Sequence, residues 1–214
     1  MAVCPFAVKR LIAPGDNDPR ITPRVAILHV DAGNAYDLHD YFAYRSGGIE
    51  SHFHVAKDGT IFQYRDTDYE ADANYKANPF AVSIETQGLG HEEWTAKQLQ
   101  SIKALLLWLK RTHNIPLQKC PAWDGSGVGY HIQFGSPGYW TNVVKGCPGP
   151  KRIAQFENVL VQWMVRQNGL GRNLRGALRD LRKARAYWRK RKDRPAGVRR
   201  VQRAIDWVNR MRGL

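Results

Sequence analysis

Two histidines and a cysteine stand in unusual local sequences. His29 ends the apolar run VAILHV, His131 lies in VGYHIQF, and Cys147 lies in KGCPGP. Imidazole nitrogen and thiolate sulfur are zinc ligands. Three of them from separated segments, with the fourth position left to water, make a catalytic zinc site, whereas a structural zinc takes four. Spacing alone leaves other readings open: a histidine on a strand is commonly a hydrogen-bonded core residue, and Cys147 reads equally as half of a disulfide or as a buried thiol. The cysteine count narrows the choice. Cys4, Cys120 and Cys147 are scattered and odd in number, so a disulfide framework is not expected and at least one thiol is unpaired or metal-bound. Cys4 and Cys120 have no Cys or His nearby at zinc-knuckle spacing and read as buried thiols. Glu85 closes the apolar run of AVSIETQG, where it serves as a general base or as a surface carboxylate. His52 and His54 alternate with Phe53 and share one strand face, so either is easily mistaken for a ligand. His39, His91 and His113 have no motif around them and read as surface or structural residues.

The elements that must position these groups are legible from periodicity. VAILHV (25–30) is a buried strand, and YDLHDYFAYR (36–45) a short helix. HFHVAKDGTIFQYR (52–65) is a hairpin around Asp58-Gly59, because Asp-Gly supplies the positive φ of a tight turn. AVSIETQG (81–88) is a further strand. Residues 94–113 carry apolar side chains at 99, 102, 105, 106 and 109, the spacing of an amphipathic helix with Thr95 as its N-cap. A second helix, 152–168, follows Pro148-Gly149-Pro150. Residues 114–150, rich in Gly and Pro, are expected to form a long functional loop holding His131 and Cys147. The pattern as a whole is mixed α/β, with 1–168 as one domain.

These words together resemble the zinc-dependent N-acetylmuramoyl-L-alanine amidases of the phage-lysozyme and peptidoglycan-recognition type. The match rests on VAILHVDAG, SHFHVAKDGTIFQYRDTD, NPFAVSIETQG, WTAKQLQSIKALLLWL, VGYHIQF and KGCPGPKRI, in the family's order over residues 20–168. The resemblance implies a mixed central sheet flanked by helices, and Zn2+ held by His29, His131 and Cys147. It further implies Glu85 as the catalytic acid-base group, Lys145 as the stabiliser of the oxyanion, and bacterial peptidoglycan as the substrate. Two departures stand out. Some phage members carry a tyrosine immediately before the hairpin histidine, where this chain has Ser51. The interval from His131 to Cys147 is also longer than in compact members and holds Phe134, Tyr139 and Trp140, which form either an aromatic wall for sugar rings or a packed surface loop.

Charge divides the chain. Of a net +14, residues 170–214 contribute +13, from sixteen basic residues against three acidic ones, and 1–169 are nearly neutral. RNLRGALRDLRKARAYWRKRK (172–192) sets Leu174, Leu178, Leu181 and Trp188 on one helical stripe. After a break at 193–197, VRRVQRAIDWVNRMR does the same with Val198, Val201, Ile205, Val208 and Met211. A basic helical hairpin over 169–214 is expected. Its outward charge suits anionic wall polymers, acidic lipid headgroups or nucleic acid, of which the bacterial envelope is the natural partner of an amidase; no DNA-binding motif is present, and specific nucleic-acid binding is not expected.

No apolar run reaches the length of a membrane span, and the N-terminus lacks the apolar stretch of a secretory signal. The expectation is a monomeric phage endolysin, stored in the host cytoplasm until lysis. A wall-recycling amidase and a non-catalytic peptidoglycan receptor are the alternatives.

Overall fold

The computed structural model describes residues 1–12, 18–135, 137–144, 146–189 and 195–213. The chain divides into two compact units, Met1–Gln162 and Trp163–Leu214.

The first unit is built on a six-stranded sheet. The strands are β1 (Val8–Lys9), β2 (Val25–Leu28), β3 (Phe53–Val55), β4 (Ile61–Gln63), β5 (Ala81–Thr86) and β6 (Gly127–Tyr130), in the spatial order β1-β4-β3-β5-β2-β6. Only β3 and β4 pair antiparallel; every other neighbouring pair is parallel. Gly59, at φ 91°, closes the connection between β3 and β4 as the Asp-Gly pair requires. β2 is buried along its whole length, which explains its unbroken apolar sequence.

The sheet's two faces follow from the period of two. Val25 and Ile27 face a cluster with Ala81, Cys120 and Trp140. The opposite face is covered by α2 (Ala96–His113), where Phe53 meets Trp108 edge-on at 5.8 Å between ring centroids. Thr95 caps α2 in a reciprocal capping box with Gln98. A short α1 (His39–Tyr44) lies between β2 and β3.

One expectation about residues 114–150 needs correction, because β6 lies inside this supposed loop. Gly127 and Gly129 have little intrinsic strand preference, which dilutes the signal of Val128 and Tyr130 in the strand that pairs with β2. Gly129 leaves room for the Trp140 ring, with which any Cβ would collide, and Val128 is fully buried. The aromatic insertion folds on itself. Trp140 is completely buried and donates from Nε1 to Trp123 O at 2.7 Å, Phe134 meets it edge-on, and Tyr139 stacks on Trp123.

A second difference concerns the C-terminal helices. α3 (Pro150–Gln155) runs through a π-helical turn, Phe156–Leu160, into α4 (Val161–Arg189), without the break expected near residue 169. Gly169 and Gly171 each weaken a helix by about 1 kcal/mol, which is too little to end one of this length.

In the second unit, α5 (Pro195–Gly213) starts at Pro195, a residue suited to a first helical turn, so Pro195–Gly197 belong to the helix and not to a linker. Leu178 of α4 is buried with Ile205 and Val208 of α5, flanked by Leu174, Leu181 and Val201. The side chains of Trp188 and Met211, expected on the same stripes, lie outside the described residues. Among the described residues no helix is long and apolar enough to cross a membrane.

Candidate metal centre

Strand register delivers three of the expected residues to one edge. Leu28 of β2 is level with Ile84 of β5 and Tyr130 of β6, so the next residues, Glu85 within β5 and His29 and His131 just past β2 and β6, stand side by side on three adjacent parallel strands. Backbone bonds hold the row beyond the last strand residue: His29 N donates to Ile84 O at 2.9 Å, and His131 N donates to Leu28 O at 3.1 Å. Residues 25, 27 and 29 share one face, which puts His29 on the side occupied by Trp140.

Cys147 arrives from far along the chain. Its Sγ accepts from Val30 N at 3.2 Å, and its carbonyl accepts from Ile132 N at 3.2 Å, so the turn is fastened to both histidine segments. Gly149 then passes so close to Gly90 that a Cβ would collide with the Gly90 carbonyl. Glycine is required there both for that approach and for its φ of 100°.

The His29 and His131 rings lie 4.3 Å apart between centroids, and the ligand atoms of His29, His131 and Cys147 fall within 4.8 Å of one another. Donors around one zinc stand about 3.5 Å apart, given bond lengths of roughly 2.0–2.3 Å. The set therefore fits zinc in donor type, with its atoms near enough to share one ion, and three such ligands would leave one position for a small molecule. Both histidines are buried, while Cys147 is half-buried at the edge of a cavity of about 950 Å³. Tyr41, Phe42, Tyr75 and Trp140 contribute to its walls.

Glu85 lines the same cavity. Its Oε1 is 3.7 Å from His29 Nδ1 and accepts from Ser51 Oγ at 3.4 Å. Ser51, which stands where some relatives have a tyrosine, thus bears on the carboxylate. Lys145 lies outside the described residues.

The other histidines divide cleanly. His52 is sealed, its Nε2 donating to Tyr69 O at 2.9 Å while Nδ1 accepts from Ser83 N at 3.1 Å. Burial pushes its pKa down to about 4, so it stays neutral. His54 lies fully buried 3.4 Å from Asp31. His113 pairs with Thr67 and His39 with Asp40, whereas His91 sits exposed on the cavity rim. Asp18, Glu50 and Asp72 form a second acidic group, but Arg65 reaches Asp18 at 2.9 Å and Glu50 at 2.5 Å, which makes it an ion-pair cluster.

Three supporting residues went unnoticed in the sequence. Asn74, fully buried, faces His29 Nε2 with Oδ1 at 2.8 Å. Thr86 Oγ1 donates to His29 O at 2.5 Å. Arg152, a fully buried guanidinium, donates to Thr86 Oγ1 at 3.3 Å and to Gln87 O at 3.0 Å, and desolvation lowers its pKa. Thr86 follows Ser83 and Glu85 in β5, and no local pattern marks it or the other two.

Comparison with known proteins adds an independent line. A family model described as Amidase_2, N-acetylmuramoyl-L-alanine amidase, matches residues 19–150. Among solved structures, the chain is similar to the N-acetylmuramoyl-L-alanine amidase LysC from Clostridium intestinale, with a TM-score of 0.53 and 20% identity over 69% of this chain and 93% of that one. It is similar to AmpD, with a TM-score of 0.54 and 18% identity over 74% and 96% of the two chains. It also resembles the Drosophila peptidoglycan recognition protein SA, with a TM-score of 0.55 and 13% identity over 72% and 93%. No curated protein sequence matches the chain. At these identities the solved structures establish the shared mixed α/β fold.

Proposed function

The chain belongs to the N-acetylmuramoyl-L-alanine amidase family, and from that premise we propose that it is a zinc-dependent hydrolase of the amide bond joining N-acetylmuramic acid to L-alanine in peptidoglycan. The observation that carries the reading is the convergence of His29, His131 and Cys147 beside Glu85 in one cavity. Zinc bound by the three ligands would lower the pKa of a water toward neutrality and polarise the scissile carbonyl. Glu85 takes the proton of the attacking water and returns it to the leaving amine, with Ser51 orienting its carboxylate. Lys145 is assigned to the oxyanion through the family resemblance. Tyr41, Phe42 and Tyr75 offer apolar surface to the sugar and stem peptide.

The unit Trp163–Leu214 is assigned to envelope affinity, within the setting of a phage endolysin held in the host cytoplasm until lysis. Anionic wall polymers are favoured over a bilayer because Leu178, Ile205 and Val208, at the centre of the helical stripes, are buried against one another, although Val165, Tyr187 and Trp207 are exposed. Arg175, Arg179, Arg182 and Lys183 line a groove on α4 together with Leu178 and Ala186 and supply its positive charge.

The test is digestion of intact peptidoglycan, with and without a chelator, followed by mass analysis of the products. Free stem peptides beginning in L-alanine, lost on chelation and restored by zinc, are expected. Cleavage between sugars or within the peptide would overturn the assignment. Activity on soluble fragments but not on intact walls would point instead to wall recycling.

A further inference from the structure

We propose that Asn74 is a positioning residue that selects the tautomer of His29, keeping the proton on Nε2 so that Nδ1 presents its lone pair to a bound metal. This rests on the metal centre proposed above and extends it by one residue. A neutral imidazole carries one N–H, and which nitrogen holds it is decided by the partner of the other. Asn74 Oδ1, a carbonyl oxygen, stands 2.8 Å from Nε2 and can only accept, so the proton belongs there. The remaining nitrogen, Nδ1, lies on the side of Glu85, 3.7 Å from its carboxylate, where the cavity opens. The reversed amide would place Nδ2 against Nε2, move the proton to Nδ1 and remove the lone pair from the metal side.

Two observations set Asn74 apart from an ordinary loop asparagine. It is fully buried, and its own Nδ2 finds no acceptor among the described residues, a cost that an apolar residue in the same place would avoid. It is also held rigidly: its backbone N donates to Asn78 Oδ1 at 2.6 Å, and Asn78 Nδ2 donates to Asp72 Oδ1 at 3.0 Å, at the entry to the 3-10 turn Tyr75–Phe80. The imidazole therefore meets an acceptor whose position is fixed before any metal arrives.

The experiment measures zinc affinity by competition with a chromophoric chelator for the wild type, Asn74→Ala and Asn74→Asp, with His29→Ala as the reference for a broken centre. Asn74→Ala is expected to bind zinc about 10–100-fold more weakly, as for other partners of ligating histidines. Asn74→Asp, whose ionised carboxylate can only accept, is expected to bind at least as tightly as the wild type. Wild-type affinity in Asn74→Ala, or weaker binding by Asn74→Asp than by Asn74→Ala, would overturn the inference while leaving the metal centre standing. A wild-type protein that binds no zinc would overturn both. Nitrogen-15 NMR of the metal-free wild type reads the tautomer without any variant: a protonated Nε2 on His29 is expected, and a protonated Nδ1 defeats the proposal even if Asn74→Ala fails to fold.

Discussion

The two units use polar residues in opposite ways. In Met1–Gln162 the charge is nearly balanced and the informative polar groups are buried: His29, His131, Asn74, Thr86 and Arg152 are all at least nine-tenths shielded from solvent. Each is held by named partners, and a displacement of one ångström would separate donor from acceptor. In Trp163–Leu214 the charged groups among the described residues are mainly Arg and Lys, most of them exposed, around a seam of Leu178, Ile205 and Val208. A site that must bring donors to one point depends on geometry, whereas a surface that attracts a polyanion depends on charge density and tolerates imprecision.

Substitutions can break this contrast, beginning with the largest effect. Replacing Cys147 by Ser should remove zinc and reduce hydrolysis of peptidoglycan to background, as read by metal content and product mass. Glu85→Gln should retain the metal but slow hydrolysis by about 10²–10⁴-fold, the usual contribution of a positioned acid-base group. Loss of zinc in Glu85→Gln would mean that the carboxylate is part of the metal centre, not its proton carrier.

Stability of the first unit should be equally sensitive to geometry. Gly129→Ala forces a methyl group against the buried Trp140 ring and should cost about 1–3 kcal/mol, measured as a lower midpoint in urea unfolding. His52 gives a pH signature. Its imidazole protonates near 6.5 in the unfolded chain but only at about 4 when buried. Below pH 6.5 the unfolded chain therefore takes up a proton that the folded one refuses, so stability falls from pH 6.5 toward 4 and is independent of this group above 6.5. The full loss is about 3 kcal/mol, and His52→Gln should flatten that part of the stability profile.

The smallest effects belong to the second unit. Changing Arg175, Arg179, Arg182 and Lys183 together to Gln should leave hydrolysis of soluble fragments unchanged and alter stability by no more than about 0.5 kcal/mol per site. Binding to whole walls should weaken and depend less steeply on salt. Slower cleavage of soluble fragments would show that the basic unit also serves the reaction, and the contrast between the units would fail.

Much of the first unit was readable from periodicity. β2, the β3–β4 hairpin, β5 and the capped α2 follow from apolar runs, an Asp-Gly turn and Thr95 as N-cap. β6 was hidden because glycine carries no strand signal; its pairing depends on Trp140, eleven residues beyond Gly129, closing over the face that glycine leaves bare. The extension of α4 past residue 168 was hidden for the converse reason, since Gly169 and Gly171 lower helix preference locally while the surrounding helix overrides them.

By itself, the sequence determined which groups are capable of the chemistry, because ligand type is a property of the side chain: two imidazoles, one thiol and an acid at a strand end. It also determined the charge of the C-terminal region, since charge adds along a chain regardless of folding. Tertiary structure alone decided which histidines meet and which nitrogen of His29 faces the cavity. Residues 29, 74, 85, 131 and 147 become neighbours through strand register and a loop crossing, and a hydrogen bond between Asn74 and His29 spans a separation that no local pattern encodes.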